Sequence, residues 1–332
     1  MQAMIINKTG GSEVFELAEI ATPTPGPGEV LIEIAYAGVN PADWKNRQGM
    51  LAQYRPYVFP YIIGFDAAGE VAALGEGVSE FSIGDRVFTP TNHGQGGQGS
   101  YAEYAIASVD RVASIPDQLS FAQAAALPVA ALTAWQGLFT RGQVESGQQI
   151  MIHGGSGGLG SFAVQFARVK GARVAATCST ANVDYLKALG VEKVIDYRTQ
   201  NITKEVTAWA PEGLDYLMNA VGEMDLVKSG GTYVSIPTLV DDGDMAASAA
   251  AAAKKNINRV FSTMDDQNTS AMLTEIANLL ASGEITMPPI QEYPLSAVAD
   301  AHAALETGHT RGKVVLKVAD LYLIPRIQTD IR

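Results

Sequence analysis

The run Gln149-Ile150-Met151-Ile152-His153-Gly154-Gly155-Ser156-Gly157-Gly158-Leu159-Gly160 decides the fold. Its opening residues are apolar and read as a strand, and its middle is a glycine-rich turn. Ser161 to Arg168 then repeats apolar residues at helical spacing. Gly155, Gly157 and Gly160 match G-x-G-x-x-G in a strand–turn–helix context. The need for glycine is steric: without Cβ the backbone turns sharply, approaches a pyrophosphate closely and lets the helix pack on the strand. Phosphates then meet free N–H groups at the positive end of the helix dipole. This context favours dinucleotide binding over a loop that merely turns a corner.

Downstream, strands alternate with helices. Strands are predicted at Arg173–Cys178, Lys193–Ile195, Leu214–Asn219, Gly231–Ile236 and Asn258–Ser262. Helices are predicted up to Lys170, at Val183–Leu189, at Thr203–Trp209 and over the alanine-rich Ala246–Ala253. That alternation implies a parallel sheet with helices on both faces, a doubly wound α/β fold. A helix over Phe121–Leu138, interrupted near Pro128, leads into it. The first third is β-rich, with strands predicted at Val30–Tyr36, Ala67–Leu74, Arg86–Thr89 and Tyr101–Ala107 between glycine and proline turns. Many short strands in series suggest a barrel-like unit. Residues 92–100 hold four glycines and read as a loop. Helices at Met272–Ser282 and Ala297–Glu306 and a strand at Lys313–Val318 close the chain, and this tail is expected to return to the first unit.

With 332 residues, 47% of them apolar, the chain can build two cores. A net charge of −12 without a basic run argues against a nucleic-acid partner. No apolar stretch is long enough to span a membrane, and the N-terminus carries no secretory-signal pattern. One cysteine, Cys178, precludes an intramolecular disulfide and fits a reducing, cytoplasmic setting.

In a dinucleotide fold, a carboxylate ending the second strand holds the ribose 2′-hydroxyl of NAD. Here that strand ends Thr177-Cys178-Ser179-Thr180, with no carboxylate. NADPH is therefore preferred. Ser179 can donate to a 2′-phosphate, and Tyr197 and Arg198 can add an aromatic wall and a charge-assisted contact. The alternative for Arg198 is a solvated loop charge.

Several segments resemble the quinone oxidoreductase branch of the medium-chain dehydrogenase/reductases. They are Gly38-Val39-Asn40-Pro41-Ala42-Asp43-Trp44-Lys45, Gly64-Phe65-Asp66-Ala67-Ala68-Gly69, Ala131-Leu132-Thr133-Ala134-Trp135, the glycine run, Val194-Ile195-Asp196-Tyr197 and Gly308-His309-Thr310-Arg311-Gly312-Lys313. The Asn-Pro-x-Asp-x-Lys form is similar to the alkenal and enone reductases. The resemblance implies a GroES-like catalytic domain, residues 1–124 and 266–332, interrupted by a Rossmann domain, residues 125–265, and a homodimer. Zinc-dependent relatives need thiolate, imidazole and carboxylate ligands. Where they keep Cys after Gly-Val this chain has Asn40, and where they keep Gly-His-Glu it has Gly64-Phe65-Asp66. The expectation is an enzyme without zinc, with Asp66 left as a local acceptor.

Without a Lewis acid to stabilise an alkoxide, the easier reaction gives hydride to an electron-poor acceptor. Quinones and α,β-unsaturated carbonyls qualify, and their developing oxyanion needs donors. The catalytic candidates are Asn40, Lys45 and Tyr54. Asn40 before Pro41, with Asp43 three residues on, also reads as a helix N-cap, and the two roles can coexist. Lys45 bonds the ribose or substrate oxygen by resemblance, or faces solvent. Tyr54, with Tyr57 and Tyr61, donates a proton or lines an apolar pocket. The cofactor candidates are Thr133, Gly155, Ser156, Gly157, Gly158, Leu159, Ser179, Tyr197, Arg198, Val221, Ile236 and Phe261; for Thr133 plain helix packing is the alternative. His153 reads as structural and Cys178 as an inert buried thiol, oxidation-sensitive only through nearness to the adenosine end. Two competitors stand beside the reductase: an enoyl-thioester reductase, and a crystallin-like or RNA-binding relative that binds cofactor with little turnover.

Overall fold

The computed structural model describes residues 1–52, 57–91, 98–218, 223–236, 242–262, 264 and 267–321. The chain begins with β1 (Gln2–Ile6), β2 (Phe15–Glu19), β3 (Glu29–Val39), α1 (Pro41–Arg47) and β4 (Tyr61–Ile62). β5 (Asp66–Leu74), β6 (Arg86–Pro90), β7 (Tyr104–Ser108) and β8 (Ala113–Ser114) follow. The strand predicted from Tyr101 starts three residues later. Residues 101–103 instead bond to β1, with Met4 N–H donating to the Tyr101 carbonyl at 2.8 Å and Glu103 N–H to that of Gln2 at 3.0 Å.

The helix predicted to break near Pro128 divides there into α2 (Phe121–Ala125) and α3 (Pro128–Trp135), with a π-helical turn over residues 136–140. Ser120 and Gln123 cap α2 reciprocally, at 2.9 and 3.2 Å. Pro128 opens α3, where its missing N–H costs nothing.

The alternating part runs β9 (Gln149–Ile152), α4 (Gly158–Val169), β10 (Arg173–Cys178), α5 (Val183–Ala188), β11 (Lys193–Asp196), α6 (Ile202–Trp209) and β12 (Leu214–Met218). Then come β13 (Val227–Ser235), α7 (Asp242–Lys255) and β14 (Asn258–Phe261). β13 begins four residues before its predicted start. All six strands are parallel, in the order β11-β10-β9-β12-β13-β14. This is the doubly wound order, whose direction reverses between β9 and β12.

After α8 (Thr269–Ala281), β15 (Ile290–Pro294) and α9 (Val298–Glu306), strand β16 (Lys313–Lys317) re-enters the first sheet, ordered β15-β16-β3-β5-β6-β8 with β7 on β3. The tail thus returns as expected. A small sheet β2-β1-β4 flanks it. The largest core is continuous between the two halves: Ala124 of α2, Leu127 just before α3, and Ala131 and Leu132 of α3 pack with Phe162 and Phe166 of α4 and with Ala68 and Phe88 of the first sheet. Among the described residues no helix is long and apolar enough to cross a membrane.

One buried chain of hydrogen bonds ties α1 to α9. The fully buried Arg47 donates to Glu306 at 2.8 Å, to the Gly10 carbonyl at 3.1 Å and to Nδ1 of His302 at 3.1 Å. Arginine only donates, so His302 Nδ1 accepts. Its Nε2–H then faces the Tyr101 hydroxyl, at 3.1 Å. Burial, reinforced by the Arg47 charge, pushes His302 from 6.5 down to about 3.

The unfolded chain therefore takes up a proton below pH 6.5 that the folded chain refuses. Stability is fully present above the unfolded pKa and is lost as pH falls toward the folded one. For this group the loss from pH 7 to pH 5 is about 2 kcal/mol. A His302→Gln variant keeps an acceptor for Arg47 and a donor for Tyr101 but does not titrate. Urea unfolding at the two pH values should show a smaller acid loss in this variant, by about that amount; equal slopes would refute the assignment.

Candidate functional site

The glycine turn distributes its residues among three tasks. A Cβ on Gly155 would lie 2.8 Å from the Ala176 side chain, and one on Gly160 only 2.2 Å from the Gly154 carbonyl oxygen. These two glycines are needed for packing β9, β10 and α4 together. Gly157 differs: among the described residues, a Cβ there would meet only the Gly154 carbonyl, at an ordinary 3.4 Å. Its backbone is extended, which any residue adopts. The space beside Gly157 is thus open, at the N-terminus of a twelve-residue helix whose first N–H groups have no intrahelical acceptor. Gly158 and Leu159 supply two of those groups. The fit to a diphosphate is good on this ground.

The turn is fixed from behind. Thr177 receives the Gly154 N–H on its hydroxyl at 3.0 Å and the Gly155 N–H on its carbonyl at 2.9 Å. His153 donates its N–H to the Met218 carbonyl at 3.2 Å, and its ring lies between the Thr177 hydroxyl and the Glu223 carboxylate. The structural reading of His153 fits these contacts.

The other cofactor candidates gather along the carboxyl edge of the parallel sheet. Tyr197 N–H donates to the Cys178 carbonyl at 3.1 Å, which brings Ser179, Tyr197 and Arg198 together at the ends of β10 and β11. The Arg198 guanidinium is exposed and lies 5.9 Å from the Tyr197 ring centroid. Sequence reading missed Asp196 on the neighbouring strand. Its carboxylate accepts from Thr180 (2.7 Å), Thr199 (2.9 Å) and Arg198 N–H (3.0 Å), which hold its pKa down, the Thr180 bond most. Burial, then Asp196, raises the Cys178 thiol to about 11, as befits an inert cysteine.

Thr133 is buried in α3, and Ile236 is buried just beyond β13. Beside Ile236, the buried Ser235 hydroxyl has no hydrogen-bond partner among the described residues, a donor suited to a bound polar group. Phe261 is half-buried at the end of β14, under the Arg259 guanidinium at 4.1 Å. Val221 lies outside the described residues.

On the other side, register assembles a buried polar cluster. Asp66 of β5 stands opposite Gly38 of β3, and the β16–β3 pairing aligns Val314 with Val39, so Lys313 meets Asn40. Asn40 Nδ2 donates to Asp66 at 2.8 Å, while its Oδ1 accepts from the Lys313 ammonium at 2.5 Å. Lys313 also donates to the Val39 carbonyl at 3.3 Å and lies 3.8 Å from Asp66. Asp66 accepts the Val129 N–H, at the start of α3, at 3.0 Å. Asp43 accepts from the N–H groups of Asn40 (2.7 Å) and Phe65 (3.2 Å). Asn40 is thus both helix-terminal and part of the cluster, with both ends of its amide engaged.

Burial dominates the electrostatics here. It raises Asp43 to about 8, with Asp66 adding repulsion. It raises Asp66 as well, against the Lys313 charge. It lowers Lys313, which Asp66 and Asp43 partly offset. Tyr101, bonded to Asp43, is raised by burial and by both carboxylates.

The remaining catalytic candidates divide. Lys45 is half-buried, its ammonium 5.4 Å from the Trp44 ring centroid and its pKa lowered by burial. Tyr54 lies outside the described residues. The Tyr57 hydroxyl donates to Asn46 at 2.7 Å, and Tyr61 is core, packed edge-on to Tyr57.

A zinc ion does not suit these residues. Asn40 and Asp66 are bonded to each other, Phe65 carries no donor atom, and the one thiol is on β10. Among the described residues no group of three His, Cys, Asp or Glu could hold a metal.

Residues 26–117 match the family described as alcohol dehydrogenase GroES-like domain, and residues 189–316 match that described as zinc-binding dehydrogenase. The chain is 32% identical to the chloroplastic quinone-oxidoreductase homolog of Spinacia oleracea, over 93% of this chain and 95% of that one. It is also 32% identical to the chloroplastic NADPH-dependent alkenal/one oxidoreductase of Arabidopsis thaliana, over 95% of this chain and 79% of the relative. The quinone oxidoreductase structure from Coxiella burnetii superimposes with a TM-score of 0.86 at 32% identity, covering 96% of this chain and 99% of that one. A GroES-like unit, a Rossmann-type parallel sheet and these relatives together make the chain a member of the medium-chain dehydrogenase/reductase superfamily, in its quinone oxidoreductase and enone reductase branch.

Proposed function

We propose that this protein is an NADPH-dependent, zinc-independent reductase of quinones or α,β-unsaturated carbonyls. One observation carries the reading. The glycine turn leaves Gly157 open toward a diphosphate, while Asn40, Phe65 and Asp66, where zinc-dependent relatives keep ligands, form no zinc donor set. When bound, the coenzyme supplies a hydride to an electron-poor carbon.

The protein's own groups then bind and orient. The backbone of Gly155, Ser156, Gly157, Gly158 and Leu159 cradles the diphosphate. Ser179 and Arg198 receive the 2′-phosphate, with Tyr197 as a wall. Asp196 is engaged by three donors rather than directed at that phosphate, which keeps NADPH favoured over NADH. Thr133, Ile236 and Phe261 border the nicotinamide end. Lys45, with its proton affinity lowered by burial, donates to the oxygen that gains charge. Asn40 acts from inside its cluster, and Tyr54 is the further catalytic candidate. The names of the spinach and Arabidopsis relatives support this substrate class.

The same reading has the substrate domain at residues 1–124 and 266–332, the Rossmann domain at 125–265 and a homodimer, which sedimentation can check. A reducing compartment such as the cytoplasm suits its single buried thiol.

Steady-state NADPH oxidation with a panel of quinones, enones and enals should show turnover, unchanged by a chelator. NADPH binding without turnover would favour a binding role. Gly157→Val should fold with a normal unfolding midpoint yet bind NADPH roughly 10- to 100-fold more weakly, because the new side chain takes the diphosphate's space; unchanged affinity in a fluorescence titration would remove the turn from the site. Arg198→Ala should weaken NADPH about tenfold and leave NADH nearly unaltered. Equal losses would discard Arg198 as the phosphate reader.

A further inference from the structure

Lys313 touches both halves of the site. Its backbone begins β16, in the sheet that delivers Asn40. The preceding Gly312 donates its N–H to the Ser156 carbonyl at 2.9 Å and bridges to Gly157, inside the glycine turn. The Lys313 side chain then runs along Gly158, where an added Cβ would lie 2.7 Å from its Cδ. The ammonium ends on Asn40 and Val39 and faces Asp66. The side chain is only 4% exposed, so it has no room to relax. Gly312 has φ of +72°, and a Cβ there would lie 2.0 Å from the Pro289 carbonyl, which receives the Lys313 N–H at 2.8 Å. The segment is therefore clamped on three sides: at the turn, at Pro289 and at Asn40.

We propose that Lys313 is a positioning residue: a strut that transmits the seating of a dinucleotide in the glycine turn to Asn40 and the start of α1. The proposal rests on the cofactor reading above and extends it. A ligand that settles the turn settles Gly158 and Gly312, and through Lys313 it settles the Asn40 amide. Asn40 Oδ1 has its orienting donor in that ammonium, and Nδ2 is then left for Asp66. The residue acts through Asn40, so its removal alters the substrate half without removing any group that holds phosphate.

The test uses the full-length protein. Lys313→Met keeps the methylene packing on Gly158 and removes the ammonium, but leaves Asp66 as a buried carboxylate without its cation. A second variant, Lys313→Met with Asp66→Asn, removes both charges and guards against misfolding, with urea unfolding as the check. Hydrogen exchange is measured with and without NADPH. In the wild type, NADPH should slow exchange in residues 154–161 and also in residues 39–47. In the double variant the first protection should persist, with NADPH affinity within about threefold of wild type, and the second should be lost. With an active acceptor, kcat should fall about tenfold or more while the acceptor KM changes little.

Undiminished protection of residues 39–47 in the double variant would overturn the strut, as would wild-type kcat restored by neutralising Asp66 alongside Lys313. The latter would make Lys313 a counter-charge only. Absent protection of residues 154–161 in the wild type would overturn the cofactor reading, and the coupling with it. Normal protection in both segments of the wild type without turnover would count against the reaction alone, and the exchange comparison would still decide the strut.

Discussion

The hydrogen bond from the Gly312 amide to the Ser156 carbonyl ties the glycine turn to the start of β16, and with it the two halves of the molecule. Domains linked within one chain move relative to each other unless their interface is extensive. Here two components of the interface stand out. The alanine-rich helices α2 and α3 fill the space between the sheets with small side chains. The Gly312 joint then sets the register of the glycine turn against β16, and hence against β3. Gly312 meets both demands because its positive φ and the nearness of Pro289 exclude a side chain. Through that joint and the Lys313 side chain, the glycine turn is connected to Asn40.

The buried cluster beside it costs stability rather than adding it. Removing Asp43, Asp66 and Lys313 from water carries a desolvation penalty that their mutual attraction and hydrogen bonds only partly offset. What they provide is orientation. Three backbone donors beside the cluster have defined acceptors: Asn40 and Phe65 on Asp43, Val129 on Asp66. The ammonium of Lys313 holds the positive end of the cluster. An ammonium with committed partners is a poor substitute for a Lewis acid. That argument, from the donor groups present, favours acceptors already electron-poor.

Much of the fold was legible because local periodicity and global topology agree between residues 149 and 261. Every strand of the parallel sheet was predicted, and the break at Pro128 followed from proline chemistry. The edges were not legible. β2 reads Phe-Glu-Leu-Ala-Glu and β15 reads Ile-Gln-Glu-Tyr-Pro, mixed and half-exposed patterns in which burial leaves little signature. β1 is five residues at the chain start, and its pairing with residues 101–103 joins segments about a hundred positions apart. The site was legible to the same degree. The glycine turn is contiguous, so its residues could be named. The partners of Asn40 are Asp66 and Lys313, 26 and 273 positions away, and no spacing rule connects them. His302, Arg47 and Tyr101 were invisible as a network for the same reason.

The 2′-position of the coenzyme shows how a local inference needs a neighbour to complete it. Reading one strand end, Thr177-Cys178-Ser179 offers no carboxylate, and NADPH follows. In the folded sheet the adjacent strand brings Asp196 level with Cys178, so a carboxylate does reach this edge. Charge alone would then repel a 2′-phosphate. Three donors on that carboxylate change the balance. Thr180, Thr199 and the Arg198 amide engage both its oxygens, and the Arg198 side chain on the same turn carries the opposite charge outward. Asp196 thereby becomes the brace that shapes the loop presenting Arg198, and the proposed preference for the phosphorylated coenzyme rests on the way its oxygens are occupied rather than on the lack of an acid.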